Sequence, residues 1–172
     1  MDVLEAIKKR RSIRKFNSLK RVSEEQIEKL LDAARWAPSA GNLQSYFFFV
    51  VREQAIKDQL VEAALGQEEV AKASVVFVAC ADLERSAAKY GRRGRGLFAL
   101  QDATLATYAM WLTVTEMGLG AVWIGAFEEG EVTSILQLSS SFRPVAMLAV
   151  GYPAENPVPP LRRVVSEISR EI

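Results

Sequence analysis

The segment from Leu97 to Met117 constrains the fold more than any other part of the sequence. It contains no glycine or proline, and Asp102 and Glu116 are its only charged residues. A helix that is apolar on nearly every face must be buried on all sides. At about 30 Å it could span a bilayer, but Asp102, Gln101 and several threonines disfavour insertion. We therefore expect a buried central helix, with Trp111 as a packing residue, at a homodimer interface; a monomer around a central helix is the alternative.

Hydrophobic spacing divides the rest of the chain into helices and strands. Ser23 and Gln26 form a capping-box pattern ahead of a helix that continues to Trp36. Apolar and β-branched runs predict four strands, at Tyr46–Val51, Ser74–Ala81, Gly120–Phe127 and Arg143–Tyr152. The first of these is expected to be a buried strand. Two further helices are expected at residues 54–65 and 128–138. Residues 82–96 are expected to form a polar loop rich in arginine and glycine. This order predicts one domain over residues 1–172, an α+β (α/β) fold with a sheet covered by helices.

Composition narrows the possible chemistry. The chain has no histidine, one cysteine, and a formal net charge of +1. Missing imidazoles exclude His-based triads and His-ligated zinc, so no metal site is predicted and a cofactor would carry any redox chemistry. Cys80 lies in an apolar run and is interpreted as an inert core thiol. The charge indicates no nucleic-acid or membrane partner, and the charged N-terminus predicts a cytoplasmic protein.

Two short motifs carry the strongest local signals. Arg10-Arg11-Ser12-Ile13-Arg14 places three arginines and a hydroxyl after a predicted short helix, a set that can bind a phosphate through charge-assisted hydrogen bonds. Pro38-Ser39-Ala40-Gly41-Asn42-Leu43-Gln44 forms a tight polar loop whose amides suit a hydroxylated or heteroaromatic ligand. Each motif also has a plain interpretation, as a solvated basic helix end or as an ordinary turn.

Together these motifs resemble the FMN-dependent nitroreductase family. The segment from Gln101 to Gly120 is similar to that family's central interface helix, and 121–127 resembles its flavin-contacting strand. Residues 143–153 and the following tail, which is rich in proline and arginine, resemble the last segments of that family. The resemblance implies a nitroreductase-like fold with a mixed central sheet of about four strands and a long buried central helix at the dimer interface. It also implies a homodimer with two FMN sites.

The resemblance further implies which residues hold FMN. The phosphate and ribityl chain would contact the basic run and the tail, at Arg10, Arg11, Ser12, Arg14 and Arg162 or Arg163. The flavin would be lined, from the same or the partner subunit, by Pro38, Ser39, Ala40, Asn42 and Gln44. Backbone groups of Ile124 and Gly125 would face the ring edge near N5 and O4. No side chain is a persuasive general acid, so no catalytic residue is predicted and protons would come from solvent.

The implied activity is NAD(P)H-dependent reduction of nitroaromatics, quinones or similar electron-poor acceptors by a ping-pong mechanism. No G-x-G-x-x-G follows a strand, so a separate dinucleotide domain is not expected. Two alternatives stay open: a specialised flavin enzyme that dehalogenates, oxidises azolines or fragments flavin, and a non-catalytic flavin-binding module. The loop at residues 82–96 is a candidate rim that selects anionic substrates or the NADPH 2′-phosphate, with a solvated charged loop as the alternative. Its side chains for this role are Arg85, Lys89, Tyr90, Arg92, Arg93 and Arg95.

Overall fold

The computed structural model describes residues 1–172 and contains seven helices and four strands. The helices are α1 Val3–Lys9, α2 Glu24–Arg35, α3 Gln54–Ala63, α4 Glu69–Lys72, α5 Leu83–Arg93, α6 Ala99–Glu116 and α7 Glu129–Ile135. The strands are β1 Tyr46–Val51, β2 Val75–Asp82, β3 Gly120–Ile124 and β4 Phe142–Gly151. The α+β class, the four strands and the long helix are therefore confirmed. The short helix α4 was not predicted.

The four strands form one sheet in the order β1-β2-β4-β3, and all three strand pairings are antiparallel. The parallel part of the expected mixed sheet is reduced to an isolated bridge between Ser12 and Ala121. Pro144 is tolerated within β4 because the register shifts at Ala79 and Cys80 of the neighbouring strand, and a bulge releases a ladder position for proline.

The sheet carries a hydrophobic core on both faces, because successive side chains along a strand point to opposite sides. Phe77 of β2 packs with Leu30 and Met110 on the side of α2 and α6. Its neighbour Val76 packs with Leu60 and Val132 on the opposite side, where α3 and α7 lie. Residues 75–81 of β2 are fully buried, as predicted. The expectation of a buried first strand is wrong in part, because β1 is an edge strand and its Phe47 is 48% exposed.

Helix α6 packs one face against the sheet and α2 and leaves the other uncovered within the protomer. The covered face includes Asp102, Ala106, Met110 and other buried residues. Leu105 is 44% exposed and Tyr108 37% exposed. All-round burial within a single chain is therefore not observed, because α2 and the sheet cover only one side. No helix has the length and apolar character required to cross a bilayer.

The predicted loop at residues 82–96 is wrong, because most of it is helical. The Asp82 carboxylate accepts a hydrogen bond from the Arg85 backbone N–H at 3.0 Å and caps α5, and helix-forming residues follow the cap. Gly91 interrupts α5 with φ 54°, a conformation that favours glycine. A π-helical turn at Gly94–Phe98 then leads into α6. The glycines therefore mark a sharp reversal between two helices.

Candidate functional site

The basic run follows α1 as an extended segment along the edge of β3. The Ile13 backbone N–H donates to the Ala121 carbonyl at 2.9 Å, and the Ile13 side chain is buried. Gly120 makes this approach possible, since a Cβ at that position would lie 2.9 Å from the Ile13 side chain. The sheet edge thus fixes the position of the arginines on either side of Ile13.

The Arg10 guanidinium lies against an aromatic pair and lacks a full set of hydrogen-bond partners. Its Cζ is 4.1 Å from the centre of the Trp111 ring, and Trp111 stacks on Trp123 at 6.4 Å. Its Nη1 atom is buried and has no hydrogen-bond acceptor. An unpaired buried donor on a cation is costly, so this position suits an anionic ligand.

Neighbouring charges reinforce this conclusion. Burial lowers the pKa of Arg10; Tyr108 acts in the opposite direction, and the positive charges of Arg162 and then Arg11 lower the pKa further. No carboxylate lies within 4.0 Å of the Arg10 guanidinium. Several cations that repel one another beside an unpaired donor would be stabilised by a bound anion. Between the two tail candidates, it is Arg162 whose charge acts on Arg10.

The other arginines of the motif have protein partners. Arg11 donates from Nη1 to the Lys8 and Arg10 carbonyls at 2.7 Å each and so caps the end of α1. Arg14 lies 3.5 Å from Glu69 in a separate cleft beside α4. The charge of Arg162 thus acts on Arg10, whereas the Arg14 side chain lies toward Glu69.

Glu155 binds the backbone of the same segment. Its Oε1 accepts from the Arg14 and Lys15 backbone N–H groups at 2.6 and 3.1 Å. The hydrogen bond from Arg14 is the largest cause of a lowered pKa for Glu155, and the bond from Lys15 lowers the pKa further. Arg163 is exposed and makes no ion pair or hydrogen bond. The start of the tail is thus anchored to the basic segment, while its far part extends into solvent.

The loop from Pro38 to Gln44 is held in an unusual backbone conformation. Gly41, Asn42 and Gln44 all have positive φ, at 56°, 56° and 51°, which is uncommon outside glycine and asparagine. The Gln44 backbone N–H donates to Ser39 Oγ at 3.0 Å, and the Gln44 side-chain amide donates to Asn42 Oδ1 at 3.2 Å. The loop is therefore pre-shaped by its own side chains.

Asp102 ties this loop to the central helix. Its Oδ1 accepts from the Ala40 backbone N–H at 3.0 Å. The residue is 2% exposed, and its Oδ2 atom is buried without a partner. The sequence interpretation used Asp102 only as evidence against membrane insertion and missed this role. A lone charge in an apolar helix signals a buried partner, but the sequence does not identify that partner.

A cleft of about 600 Å³ opens beside the loop. It is lined by Pro38, Ser39, Ala40, Phe98, Leu100, Gln101, Asp102, Thr104 and Leu105. Leu100 also lines a smaller cleft of about 210 Å³ that includes Gly125, which follows the buried Ile124 at the end of β3. The loop and the end of β3 therefore face two neighbouring clefts that share Leu100.

The basic run and the loop contact different parts of α6. Arg10 lies at Trp111, whereas Ala40 lies at Asp102. At ~1.5 Å of rise per residue these contacts are roughly 14 Å apart along the helix. One protomer thus displays two separate halves of the predicted site along a single helix.

Comparisons with known proteins identify the family of this chain. The model of the Nitroreductase family matches residues 7–152. A protein of Methanothermobacter thermautotrophicus, provisionally named NADH dehydrogenase/NAD(P)H nitroreductase, is 39% identical over 163 residues, covering 91% of this chain and 80% of the relative. An NADH dehydrogenase of Thermus thermophilus is 35% identical over 196 residues, covering 96% of this chain and 95% of the relative.

Solved structures give the same result. The NfrA1 nitroreductase of Bacillus subtilis superposes with a TM-score of 0.92 at 31% identity, covering 99% of this chain and 74% of that one. The NADPH:FMN oxidoreductase of Vibrio harveyi, complexed with NAD⁺, has a TM-score of 0.90 at 26% identity, covering 98% and 76%. The family match and the similarity to these relatives and structures establish that this chain belongs to the nitroreductase family.

Proposed function

We propose that this protein is an FMN-dependent oxidoreductase that takes hydride from NAD(P)H and reduces electron-poor small molecules such as nitroaromatics or quinones. The observation that carries the proposal is the buried, unpaired Nη1 atom of Arg10 beside the charge of Arg162. A dianionic phosphate would satisfy the donor and remove the repulsion between the two guanidinium groups. FMN carries such a phosphate, whereas riboflavin does not.

The residues that would hold FMN form two groups. Arg10, Ser12 and Arg162 would bind the phosphate end, and Arg14 would join them only if its side chain leaves Glu69. The strained loop, with Ser39, Ala40, Asn42 and Gln44, would line the ring together with the backbone of Ile124 and Gly125. Bound FMN supplies the acceptance and donation of hydride. The chain supplies a rigid cradle, because the loop conformation is already fixed by internal hydrogen bonds and by Asp102.

Relatives support the choice of electron donor and cofactor. One Bacillus subtilis relative is named FMN reductase (NADPH), and the Vibrio harveyi structure was determined with NAD⁺. The carboxylate in the wall of the larger cleft, Asp102, is engaged with the Ala40 backbone. Solvent is therefore the simplest source of the protons that accompany acceptor reduction.

The functional unit is proposed to be a homodimer. Apolar residues remain exposed on α1, where Val3 is 70% and Leu4 66% exposed, and on the uncovered face of α6. The tail adds further exposed apolar side chains, at Val158, Leu161, Val164, Val165 and Ile168. This number of exposed apolar side chains favours an interaction surface. A second copy would cover it and could bring the loop of one protomer to the basic run of its partner.

An absorption spectrum of the purified protein, recorded before and after anaerobic addition of NADPH or NADH, tests the proposal. We expect a flavin band near one equivalent per protomer that either nucleotide bleaches. A flavin band that only dithionite bleaches would move the assignment to a specialised flavin enzyme. No flavin, and none taken up from added FMN, would refute the phosphate site at Arg10.

A further inference from the structure

We propose that Lys89 and Arg93 form an anion-binding rim beside the larger cleft, selecting ligands that carry a phosphate or carboxylate in addition to a planar ring. The inference rests on the proposed function for the role of the cleft. It gives a recognition role to two cations that neither the flavin phosphate site nor the family match identifies. Lys89 and Arg93, together with Tyr90 and Phe98, form the α5 rim.

Helix α5 lies directly on the predicted flavin loop. A Cβ added to Gly41 would lie 2.4 Å from Tyr90 Oη and 2.7 Å from Lys89 Nζ. The chain then reverses, since a Cβ at Gly94 would meet the Ser86 carbonyl oxygen at 2.4 Å. The reversal returns the chain alongside α5 and places the residues after Gly94 next to those before Gly91.

The reversal brings two aromatic rings together, each with a cation beside it. Tyr90 and Phe98 pack edge to face with ring centres 5.2 Å apart. Lys89 Nζ lies 5.4 Å from the Tyr90 ring centre, and Arg93 Cζ lies 5.3 Å from the Phe98 ring centre. Phe98 also lines the cleft. An aromatic wall with two positive charges beside it suits a ligand that combines a planar ring with an anionic group.

Lys89 and Arg93 have neither an ion-pair nor a hydrogen-bond partner, unlike Arg85 and Arg95. Arg95 pairs with Glu84, and Arg85 donates to the Leu43 carbonyl. Neither Lys89 nor Arg93 has a carboxylate oxygen within 4.0 Å. The carboxylate of the cleft wall, Asp102, is buried and engaged with Ala40. The α5 rim therefore presents unpaired positive charge beside the cleft that Phe98 lines.

Two ligands could supply the anionic group: the 2′-phosphate of a nicotinamide nucleotide or an acid substituent on the acceptor. Both would use the same charge-assisted hydrogen bonds. Such a bond contributes roughly 10-fold in affinity at an exposed position, the low end for hydrogen bonds to charged groups. The attraction should also weaken as salt concentration rises.

Titration calorimetry on the purified protein separates the two sources without requiring turnover. One arm compares NADP⁺ with NAD⁺, and the other compares 4-nitrobenzoate with 4-nitrobenzamide. Each ratio of dissociation constants is measured for the wild type, for the double variant Lys89→Gln/Arg93→Gln and for the single variant Arg93→Gln. Arg95→Gln is the control for Arg93→Gln, because it removes one positive charge from the same turn at a guanidinium already paired with Glu84.

We expect at least one arm to show roughly 10-fold preference for the anionic ligand in the wild type. The double variant should reduce that preference to within about 2-fold of unity, and Arg95→Gln should retain it. The arm that responds identifies the source of the anion. No preference in either arm, or an equal loss in Arg93→Gln and Arg95→Gln, would overturn the α5 rim. Failure of NAD(P)H to reduce the flavin would instead refute the proposed function. The calorimetric ratios would still test whether the α5 rim binds anions.

Discussion

The Asp102 carboxylate accepts a hydrogen bond from the Ala40 backbone N–H at 3.0 Å, joining the central helix to the loop predicted to line the flavin. Asp102 comes from the first turn of α6, and Ala40 begins a single turn with a positive φ at each of the next two residues. The bond therefore helps to hold a strained backbone in place. It makes the loop conformation depend on the position of α6.

Replacing Asp102 tests whether this bond shapes the cofactor site. Asp102→Ala leaves the Ala40 N–H without its acceptor, so we expect the free energy of unfolding to fall by about 1–3 kcal/mol and FMN affinity to fall with it. Asp102→Asn keeps an acceptor oxygen and is expected to lose less of both. Urea denaturation and fluorescence titration with FMN measure the two quantities. Equal losses in both variants would argue against a role for the hydrogen bond.

Replacing Arg10 tests the phosphate site. Arg10→Met removes the donor that lacks a partner, and we expect FMN affinity to fall by roughly 10- to 100-fold, as for loss of a hydrogen bond to a charged group. Riboflavin affinity should change much less, because riboflavin has no phosphate. Arg163→Met is the control, since Arg163 is exposed and without contacts. A parallel loss of FMN and riboflavin binding in Arg10→Met would show a general structural defect instead.

Gly120 is expected to be essential for the path of the basic segment. A Cβ there would lie 2.9 Å from Ile13, so Gly120→Ala should lower the free energy of unfolding by about 1–3 kcal/mol through overpacking and weaken FMN binding. Gly130→Ala provides the contrast, because no atom lies within 4 Å of a Cβ at this position in α7. There alanine should stabilise the helix by about 0.5–1 kcal/mol. Thermal denaturation of the two variants should show shifts of opposite sign.

Lys57 is expected to make the free energy of unfolding depend on pH. The side chain is 1% exposed and donates to the Ala73 and Ala71 carbonyls at 2.8 and 3.2 Å. Burial, and secondarily the charge of Arg21, lowers the pKa of Lys57 below its ordinary 10.5. The unfolded chain then binds this proton more tightly than the folded chain, so the free energy of unfolding rises with pH between the folded pKa and 10.5.

The measurement compares the wild type with Lys57→Met in urea at a series of pH values. We expect the free energy of unfolding of the wild type, relative to that of the variant, to increase as pH rises toward 10.5. Lys29→Met is the control, since Lys29 is exposed and pairs only with Glu25 on the helix surface. A wild-type advantage that is constant with pH would mean that the Lys57 proton is bound equally in both states.

Cys80 is expected to be unreactive. It is fully buried in β2, and burial raises the pKa of its thiol to about 12, so the nucleophilic thiolate is scarce at neutral pH. Iodoacetamide should not label the native protein but should label it fully in denaturant, as followed by mass spectrometry. Cys80→Ala should cost about 1 kcal/mol of stability, comparable to loss of one methyl-sized group. Rapid labelling of the native protein would contradict this assignment.

Local sequence patterns predicted most of the elements. The capping box of Ser23 and Gln26 forms as predicted ahead of α2, because it depends only on residues three apart. The run at Val75–Asp82 forms a buried strand, and the segment without glycine or proline forms α6. The error at residues 83–93 has the same local origin. Glycine composition suggested a loop, whereas the cap at Asp82 and the residues after it support a helix.

The sequence by itself determined the strands, most of the helices and the two motifs that could bind a cofactor, because backbone preference and hydrophobic period act between near neighbours. Only the tertiary structure decided which residues complete those motifs. Arg10 meets Trp111, Ala40 meets Asp102, and Arg93 meets Phe98 across the reversal at Gly94. A buried polar or charged group needs a partner. The identity of that partner depends on which distant elements pack together, and the chain's local preferences do not specify that packing.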